Sequence, residues 1–175
     1  MRLPWFFTLF ILGFLFRILI FIYFPQSIPF DQEQYVNIAQ SILDYKLYVS
    51  SFRVYGYPMF LAVIFSLAKL IVLENLLAAR IVQSILDTLI ALLIYILGKK
   101  IFNPKIAKIS CIIYLFNPFT ASAAGVILPE TISSFIIITI YLLTYLFFKK
   151  KTLVYAVLLG FLLGFLPQAR PALIM

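Results

Sequence analysis

Long apolar runs separated by short polar segments dominate the pattern of the chain. A helix needs about 20 residues to cross the hydrocarbon core of a bilayer. Five runs reach or approach this length: 3–24, 76–97, 106–125, 131–148 and 153–170. A sixth run, 58–73, is shorter and contains Lys69, which makes it marginal as a span. The pattern predicts an all-α fold, a polytopic membrane helix bundle with about five spanning helices in a single transmembrane domain.

The positive charges predict how these runs are oriented. Lys and Arg concentrate on the cytoplasmic side of membrane proteins, and here they cluster at Arg2, Lys99–Lys108 and Lys149–Lys151. Clusters on one side must be separated by an even number of spans. The run 58–73 is therefore predicted to lie in the outer interface, or to dip into the membrane and return shielded by protein, within an outer loop at 25–75. The N-terminus is predicted to be cytoplasmic. A full crossing by that run would instead place the Lys99 cluster outside. On this interpretation the lysines only determine topology.

Composition supports the membrane assignment and excludes several classes of function. The sequence is 65% hydrophobic and 11% charged, with a mean hydropathy of +1.11, whereas soluble proteins are roughly a quarter charged. The net charge of +8 does not indicate nucleic-acid binding, because the lysines lie in short loops between apolar runs. The chain has no His and one Cys, which excludes a zinc site or a disulfide framework within it. A metal would need oxygen ligands, as magnesium, calcium and manganese do.

The polar segment that follows the first apolar run is a candidate for chemistry. Its apolar residues recur at helical spacing, which predicts an amphipathic helix over about 31–45 on the membrane surface; they are Tyr35, Ile38, Ala39, Ile42 and Leu43. Asp31 with Gln34 three residues later matches a helix capping box. A carboxylate at an exposed helix start can also act as a catalytic base, so the two roles are compatible.

Three further charged residues fall at the same predicted membrane face. Glu130 could cap a helix beginning at Thr131, or it could be functional, since acidic residues at membrane depth are rare and usually functional. Arg53 precedes a Gly and Pro chain break and could bind a lipid headgroup or a substrate phosphate. Arg170 follows the last apolar run and could equally be an anchor at the membrane boundary.

Polar residues inside the spans are predicted to be structural. Arg17 interrupts the first span near its outer end, where a long side chain can extend to the interface. Arg80, Gln83, Ser84 and Asp87 follow one another at helical spacing and form a stripe on one face of the second span. This stripe is expected to face other helices, with an internal Arg–Asp arrangement that serves structure rather than catalysis.

The order of several short motifs resembles a known family. The motifs are Asp31 with Tyr35 and Ala39, then YGYPMFLA, AARIVQSILDTLIALLIYILGKKIF, FNPF, LPET and LLGFLLGFLPQARP. Together they resemble the N-terminal part of the GT-C membrane glycosyltransferases. The resemblance is closest to the dolichyl-phosphate-mannose–protein mannosyltransferase and aminoarabinose transferase superfamily. It implies a first span followed by a long outer loop that carries a catalytic Asp and interfacial helices.

The resemblance also implies a reaction. A sugar would pass from a polyprenyl-phosphate donor to an acceptor hydroxyl at the extracytoplasmic face, in what we expect is a prokaryotic cell membrane. Asp31 and Glu130 would be the catalytic residues. The leaving phosphate would be stabilised by arginine or by a divalent cation, magnesium or manganese. Residues implied to bind substrate are Tyr35, Arg53, Tyr57 and Arg170.

Two departures from that family bear on these expectations. Many relatives have a second acid directly after the loop Asp, where this chain has Gln32. Glu33 is turned about 100° from that position on a helix, so it is not expected to replace that acid. The family also has many more spans, which suggests an N-terminal fragment, a truncated reading frame, or a chain that needs a partner to supply further helices.

Two alternative functions do not involve glycosyl transfer. In a translocator of a lipid or solute, the stripe from Arg80 to Asp87 would line a path and Asp31 would only cap a helix. In a non-catalytic membrane scaffold, no charge would matter beyond insertion. Loss of Asp31 would then be tolerated in either case, whereas Asp87 would be critical in the translocator.

Overall fold

The computed structural model describes residues 3–24, 30–46 and 53–173. Arg2 and two parts of the predicted outer loop, 25–29 and 47–52, lie outside the described residues. The described chain is helical with no β-strand, which confirms the all-α fold class. Its helices are α1 (Leu3–Tyr23), α2 (Phe30–Leu43), α3 (Gly56–Leu70), α4 (Asn75–Ile101), α5 (Pro104–Leu115), α6 (Pro118–Ala124), α7 (Glu130–Lys150) and α8 (Leu153–Ala169), and a 3₁₀ turn at Pro171–Leu173 follows them.

Polar residues set the starts of two consecutive helices. The carboxylate of Glu74 accepts hydrogen bonds from the backbone N–H groups of Leu76 and Leu77, at 2.9 and 2.7 Å. The side chain of Asn103 caps α5 in the same way, and Pro104 follows it at the first helical position. These caps pair N–H groups that a helix leaves without an intrahelical acceptor. Pro is suited to the first position, since it has no N–H to leave unpaired.

The segment predicted as one span over 106–125 is divided in two by Asn117–Pro118. Helices α5 and α6 meet at an angle of 57°. Pro118 lacks the N–H that would continue the α5 hydrogen-bond ladder. The side chain of Asn117 instead accepts from the N–H of Phe119 at 2.9 Å and starts α6. The segment is thus two helices rather than one, and whether the pair crosses the membrane as a single broken span stays a prediction.

Two described helices, α4 and α7, are long and apolar enough to cross a membrane, or three spans are present if the bent α5–α6 pair counts as one. Shorter apolar helices are formed by α3, α8 and the part of α1 from Phe7 onward. The count of five spans thus stays a prediction.

Helices α4 and α7 run side by side in one direction. Gln83 contacts Val126 just before α7, and the Tyr145 hydroxyl donates to the Lys100 carbonyl near the ends of both helices.

The periodicity of the polar segment is confirmed. Tyr35, Ile38 and Ala39 of α2 are buried, and Ile42 and Leu43 pack at the margin of the same core. This core joins α2 and α3 to α4, α7 and the end of α8. The apolar face of α2 therefore packs on protein, which leaves its polar face, with Asp31 and Glu33, exposed.

The prediction that the Arg17 side chain extends to the interface is wrong. Its side chain is fully buried, and Nε donates to Asp87 Oδ2 at 2.6 Å. Its Nη1 donates to the carbonyls of Gly13 and Leu115, both at 2.9 Å. A charged group this deep needs a partner because an unpaired buried charge is costly. Asp87 does lie in an internal Arg–Asp arrangement, but its partner comes from α1 and not from Arg80.

Candidate functional site

Four of the predicted site residues form two acid–arginine pairs. Arg53 Nη2 donates to Asp31 Oδ1, and Arg170 Nη2 lies 3.4 Å from Glu130 Oε1. Each pair joins segments that are distant in sequence: the loop before α3 to the start of α2, and the end of α8 to the start of α7. The sequence identified these charges individually, and the fold determines which acid meets which arginine.

Arg53 is held by several groups on the first two turns of α2. In addition to Asp31, its Nε donates to Gln34 Oε1 at 3.0 Å and its Nη1 donates to the Tyr35 hydroxyl at 3.3 Å. The guanidinium carbon also lies 4.9 Å from the centre of the Tyr35 ring, within the range of a cation–π interaction. A planar guanidinium with several donors suits such a site better than a lysine ammonium does.

Asp31 is placed differently from the capping prediction. Helix α2 begins at Phe30, so Asp31 lies within its first turn. The Gln34 side chain that would complete a capping box accepts from Arg53 instead. The Asp31 side chain is 57% exposed, so its carboxylate is open to a substrate. Its role as a catalytic base stays a prediction.

Tyr57 packs against Tyr35 on the buried side of the candidate site. Its ring meets that of Tyr35 edge to face, with centroids 5.0 Å apart. Its hydroxyl donates to Gln83 Oε1 at 2.7 Å, and Gln83 Nε2 donates to the carbonyls of Ala124 and Val126 at 3.1 and 2.7 Å. Tyr57 is fully buried and packs behind Tyr35, and its contact with substrate stays a prediction. Burial raises the pKa of Tyr57 well above its ordinary value, and the negative charge of Glu130 raises it further.

Gln32 is a site residue that the pattern of charges did not reveal. It is buried, and its Oε1 accepts from the backbone N–H of Ile127 at 2.7 Å. This bond fastens the start of α2 to the segment that leads into α7. The role of a buried neutral amide depends on the group that it contacts, and here that group is distant in the sequence. The spacing of residues along the chain therefore did not predict this hydrogen bond. Gln32 thus connects the segment carrying Asp31 to the segment carrying Glu130.

Glu130 does not cap a helix beginning at Thr131. It is itself the first residue of α7, and the residue before it, Pro129, makes no capping bond through its side chain. Its Oε1 faces Arg170, while Oε2 is buried and has no hydrogen-bond partner among the described residues. A buried acceptor without a donor is unfavourable. That oxygen is therefore a candidate for accepting a hydrogen bond from substrate.

Gly56 allows two segments of the site to approach closely. A Cβ atom on Gly56 would lie 2.2 Å from the backbone oxygen of Gln168. Only glycine fits against that backbone at this distance. The contact holds the start of α3, next to Arg53, against the end of α8, next to Arg170. This explains the glycine in the YGYP motif by packing.

The described residues do not assemble a metal centre of their own. They contain no group of three acidic, His or Cys side chains that could hold an ion. Asp31 and Glu130 are each engaged by an arginine. A magnesium or manganese ion held by one or two carboxylates together with substrate phosphate and water therefore stays a prediction.

Residues 57–174 match the model of the dolichyl-phosphate-mannose-protein mannosyltransferase family. The chain belongs to this family. It is accordingly a membrane glycosyltransferase of the mannosyltransferase type, in agreement with the resemblance seen in the motifs. No curated protein and no solved structure matches the chain.

The family match includes Tyr57, Glu130 and Arg170 and begins after Asp31 and Arg53. Besides the Arg17–Asp87 ion pair, contacts at the candidate site join the unmatched part to the matched part. Tyr35 packs on Tyr57, and Gln32 accepts from the backbone N–H of Ile127. The start of α2 is therefore part of the same packed unit as the family region of this mannosyltransferase-type chain.

Proposed function

We propose that the protein transfers a sugar from a polyprenyl-phosphate donor to an acceptor hydroxyl at the extracytoplasmic face of the membrane. The observation that carries this proposal is the contact of Asp31 with Arg53, an exposed carboxylate beside a guanidinium. The reaction needs a base for the acceptor and a cation for the phosphate, and this pair supplies both. Membership of the mannosyltransferase family gives the reaction class.

Asp31 is the general base in this scheme. Its carboxylate takes the proton of the acceptor hydroxyl, and the acceptor oxygen forms a bond to the anomeric carbon of the sugar. The bond from that carbon to the phosphate oxygen breaks, and the polyprenyl phosphate leaves with the electron pair. Attack opposite the leaving group inverts the anomeric centre. General base catalysis contributes roughly 10²–10⁴-fold.

Arg53 recognises the donor phosphate. Guanidinium binds phosphate in a two-point geometry that resembles its binding of carboxylate. Without donor, Arg53 is held by Asp31. A bound phosphate would draw Arg53 away from that carboxylate and leave Asp31 available to the acceptor. Donor binding and activation of the base would thereby be coupled. Arg53 would also stabilise the charge that grows on the departing phosphate, usually a large contribution to such reactions.

Glu130 and Arg170 form the second half of the site. Glu130 Oε2 has no donor in the described part of the protein, and we assign it to a hydroxyl of the sugar or acceptor. Arg170 is half-buried beside Oε1 and adds positive charge for the phosphate. Tyr35 would line the site next to Arg53, with Tyr57 beneath it. A divalent cation supplied together with substrate remains a separate proposal, to be tested by adding a chelator.

The arrangement of the charges supports the extracytoplasmic placement. Glu130 is at the start of α7, whereas Lys149 and Lys150 are in its last turn. Positively charged residues favour the cytoplasmic side, so the opposite end of α7, with the candidate site, would face outward. A polyprenyl-phosphate sugar presented at the outer face would meet these residues at membrane level.

A transfer assay tests the proposal. The chain would be reconstituted in liposomes with a radiolabelled polyprenyl-phosphate sugar and compared with Asp31→Asn and Glu33→Gln. Glu33 is the matched control because it is an exposed carboxylate in the same helical turn. We expect Asp31→Asn to lower transfer at least about 100-fold and Glu33→Gln to have little effect. Equal effects of the two variants would exclude Asp31 as the base. A wild-type chain that transfers no polyprenyl-linked sugar would contradict the reaction itself.

A further inference from the structure

We propose that the end of the bundle opposite the candidate site binds the headgroup of an anionic phospholipid. A cavity of about 510 Å³ lies there between α4 and α7. Lys99, Lys100 and Lys149 line its charged part, which we call the lysine cavity, and Leu92 and Ile96 line its apolar part. The sequence assigned these lysines to topology alone. Their convergence on one cavity from two helices is a feature of the fold.

The lysine cavity carries an uncompensated positive charge. No acidic residue lines it, and none of its lysines forms an ion pair within the described chain. Glu130 begins α7 and is therefore about 28 Å along the helix from Lys149. The C-terminal ends of α4 and α7 each contribute roughly half a negative charge. Three lysines then leave a net charge of about +2, which is complementary to a phosphate group.

Tyr145 fixes the geometry of the charged part. Lys100 Nζ lies 5.8 Å from the centre of the Tyr145 ring, over its face, within the range of a cation–π interaction. The Tyr145 hydroxyl donates to the Lys100 carbonyl at 3.4 Å. One aromatic residue of α7 thus holds both the backbone and the ammonium of a lysine on α4. A partly ordered Lys100 side chain loses less entropy on binding an anion.

The apolar part of the cavity favours a lipid over a soluble anion. Ile96 and Leu92 lie roughly one and two turns before Lys100, so they extend about 6 and 12 Å deeper along α4. Helix α4 is one of the helices that can cross a membrane. A phosphate at the lysines would place an acyl chain along these side chains. Basic pockets between membrane helices bind anionic headgroups in this manner.

Lipid titration of the purified full chain in neutral detergent tests the proposal, with bound lipid counted by native mass spectrometry. The probes are phosphatidylglycerol and phosphatidylcholine with identical acyl chains. We expect a preference for phosphatidylglycerol of at least about tenfold, since each lysine near a phosphate adds appreciable attraction. Substituting Lys99, Lys100 and Lys149 together by Gln should abolish the preference. The matched control substitutes Lys105, Lys150 and Lys151 by Gln, because these exposed lysines do not line the cavity.

A second variant tests the cavity without altering charge. Ile96→Trp fills the apolar part and should lower phosphatidylglycerol binding severalfold while all lysines remain. Equal losses in the two lysine triple variants would overturn the proposal in favour of diffuse charge attraction. Undiminished binding by Ile96→Trp would also overturn it. Displacement of the lipid by excess inorganic phosphate would identify a site for a soluble anion instead. These readouts do not depend on sugar transfer.

Discussion

Arg17 of α1 and Asp87 of α4 form a fully buried ion pair, with Arg17 Nε 2.6 Å from Asp87 Oδ2. The other carboxylate oxygen of Asp87 accepts from the Tyr114 hydroxyl of α5, also at 2.6 Å. One carboxylate thereby joins three helices. Burying two charges costs several kcal/mol for each ion, and their attraction offsets this only when the remaining polar atoms are also hydrogen-bonded. The pair is therefore sensitive to the loss of either member.

The first prediction concerns stability. Asp87→Leu leaves Arg17 buried without its carboxylate and should destabilise the protein by about 3–5 kcal/mol. Combining it with Arg17→Leu removes both charges and should recover much of that loss. Unfolding of the detergent-solubilised chain, followed by circular dichroism, measures the difference. If the double variant is as unstable as the sum of the single variants, the two residues do not interact as the structure shows.

The same pair separates glycosyl transfer from translocation. Both oxygens of Asp87 are occupied, by Arg17 and by Tyr114, which is the arrangement of a structural group. A translocator would need Asp87 and tolerate loss of Asp31. The proposed transferase would need Asp31 and tolerate any replacement of Arg17 and Asp87 that keeps the helices packed.

Local patterns in the sequence predicted the helices and which faces are buried. The spacing of Tyr35, Ile38 and Ala39 predicted the packed face of α2, because burial follows the helical period. The break at Asn117–Pro118 was missed even though its signal is local. The apolar run through these residues suggested a single helix, and the fold made the Asn side chain a new cap.

Pairings across the fold could not be predicted in this way. Arg17 and Asp87 are separated by 70 residues, and nothing in either local pattern identifies the other. The charged members of the candidate site stood out because charges are rare in an apolar chain. The sequence marked Gln32 only as a departure from the family and Gln83 only as part of a polar stripe, since the role of a neutral amide depends on the groups it contacts after packing.

The second prediction concerns Arg53. Arg53→Gln should lower kcat for transfer by about 10²-fold or more, in the range seen when a donor to a developing anion is removed. Arg53→Lys should recover only part of the lost kcat, because an ammonium restores the positive charge but not the forked geometry of the guanidinium. Lys46→Gln is the control, since Lys46 is an exposed cation at the far end of α2. Steady-state kinetics at varied donor concentration provides the test. Full activity in Arg53→Lys would show that charge alone suffices.

The third prediction separates catalysis from stability at Glu130. Its pair with Arg170 is partly exposed, and such pairs contribute only about 0–1 kcal/mol. Glu130→Gln should therefore change the unfolding temperature little and still reduce transfer clearly. Asp44→Asn is the control, because Asp44 is another partly exposed carboxylate, paired with Lys46. Parallel measurements of unfolding and of transfer distinguish the two effects. A loss of transfer matched by a loss of folded protein would assign Glu130 to structure.

The fourth prediction compares two glycines with opposite surroundings. A Cβ on Gly56 would lie 2.2 Å from the Gln168 oxygen and 2.9 Å from the Ala169 nitrogen, whereas one on Gly160 would meet nothing within 4 Å. Backbone atoms cannot turn aside as a side chain can, so Gly56→Ala must push α3 away from α8. Gly160→Ala introduces a better helix former at no steric cost and should stabilise by up to about 1 kcal/mol.

Gly56→Ala should accordingly lower the unfolding temperature and Gly160→Ala should hold or raise it. Gly56 lies between Arg53 and Tyr57 in the chain, and Gln168 is two residues before Arg170. Separating these segments would move the two acid–arginine pairs apart, so transfer should fall in Gly56→Ala even at temperatures where the protein remains folded. Measuring unfolding and transfer in both variants checks this. If the two glycines respond alike, the close approach of α3 to α8 does not hold the site together.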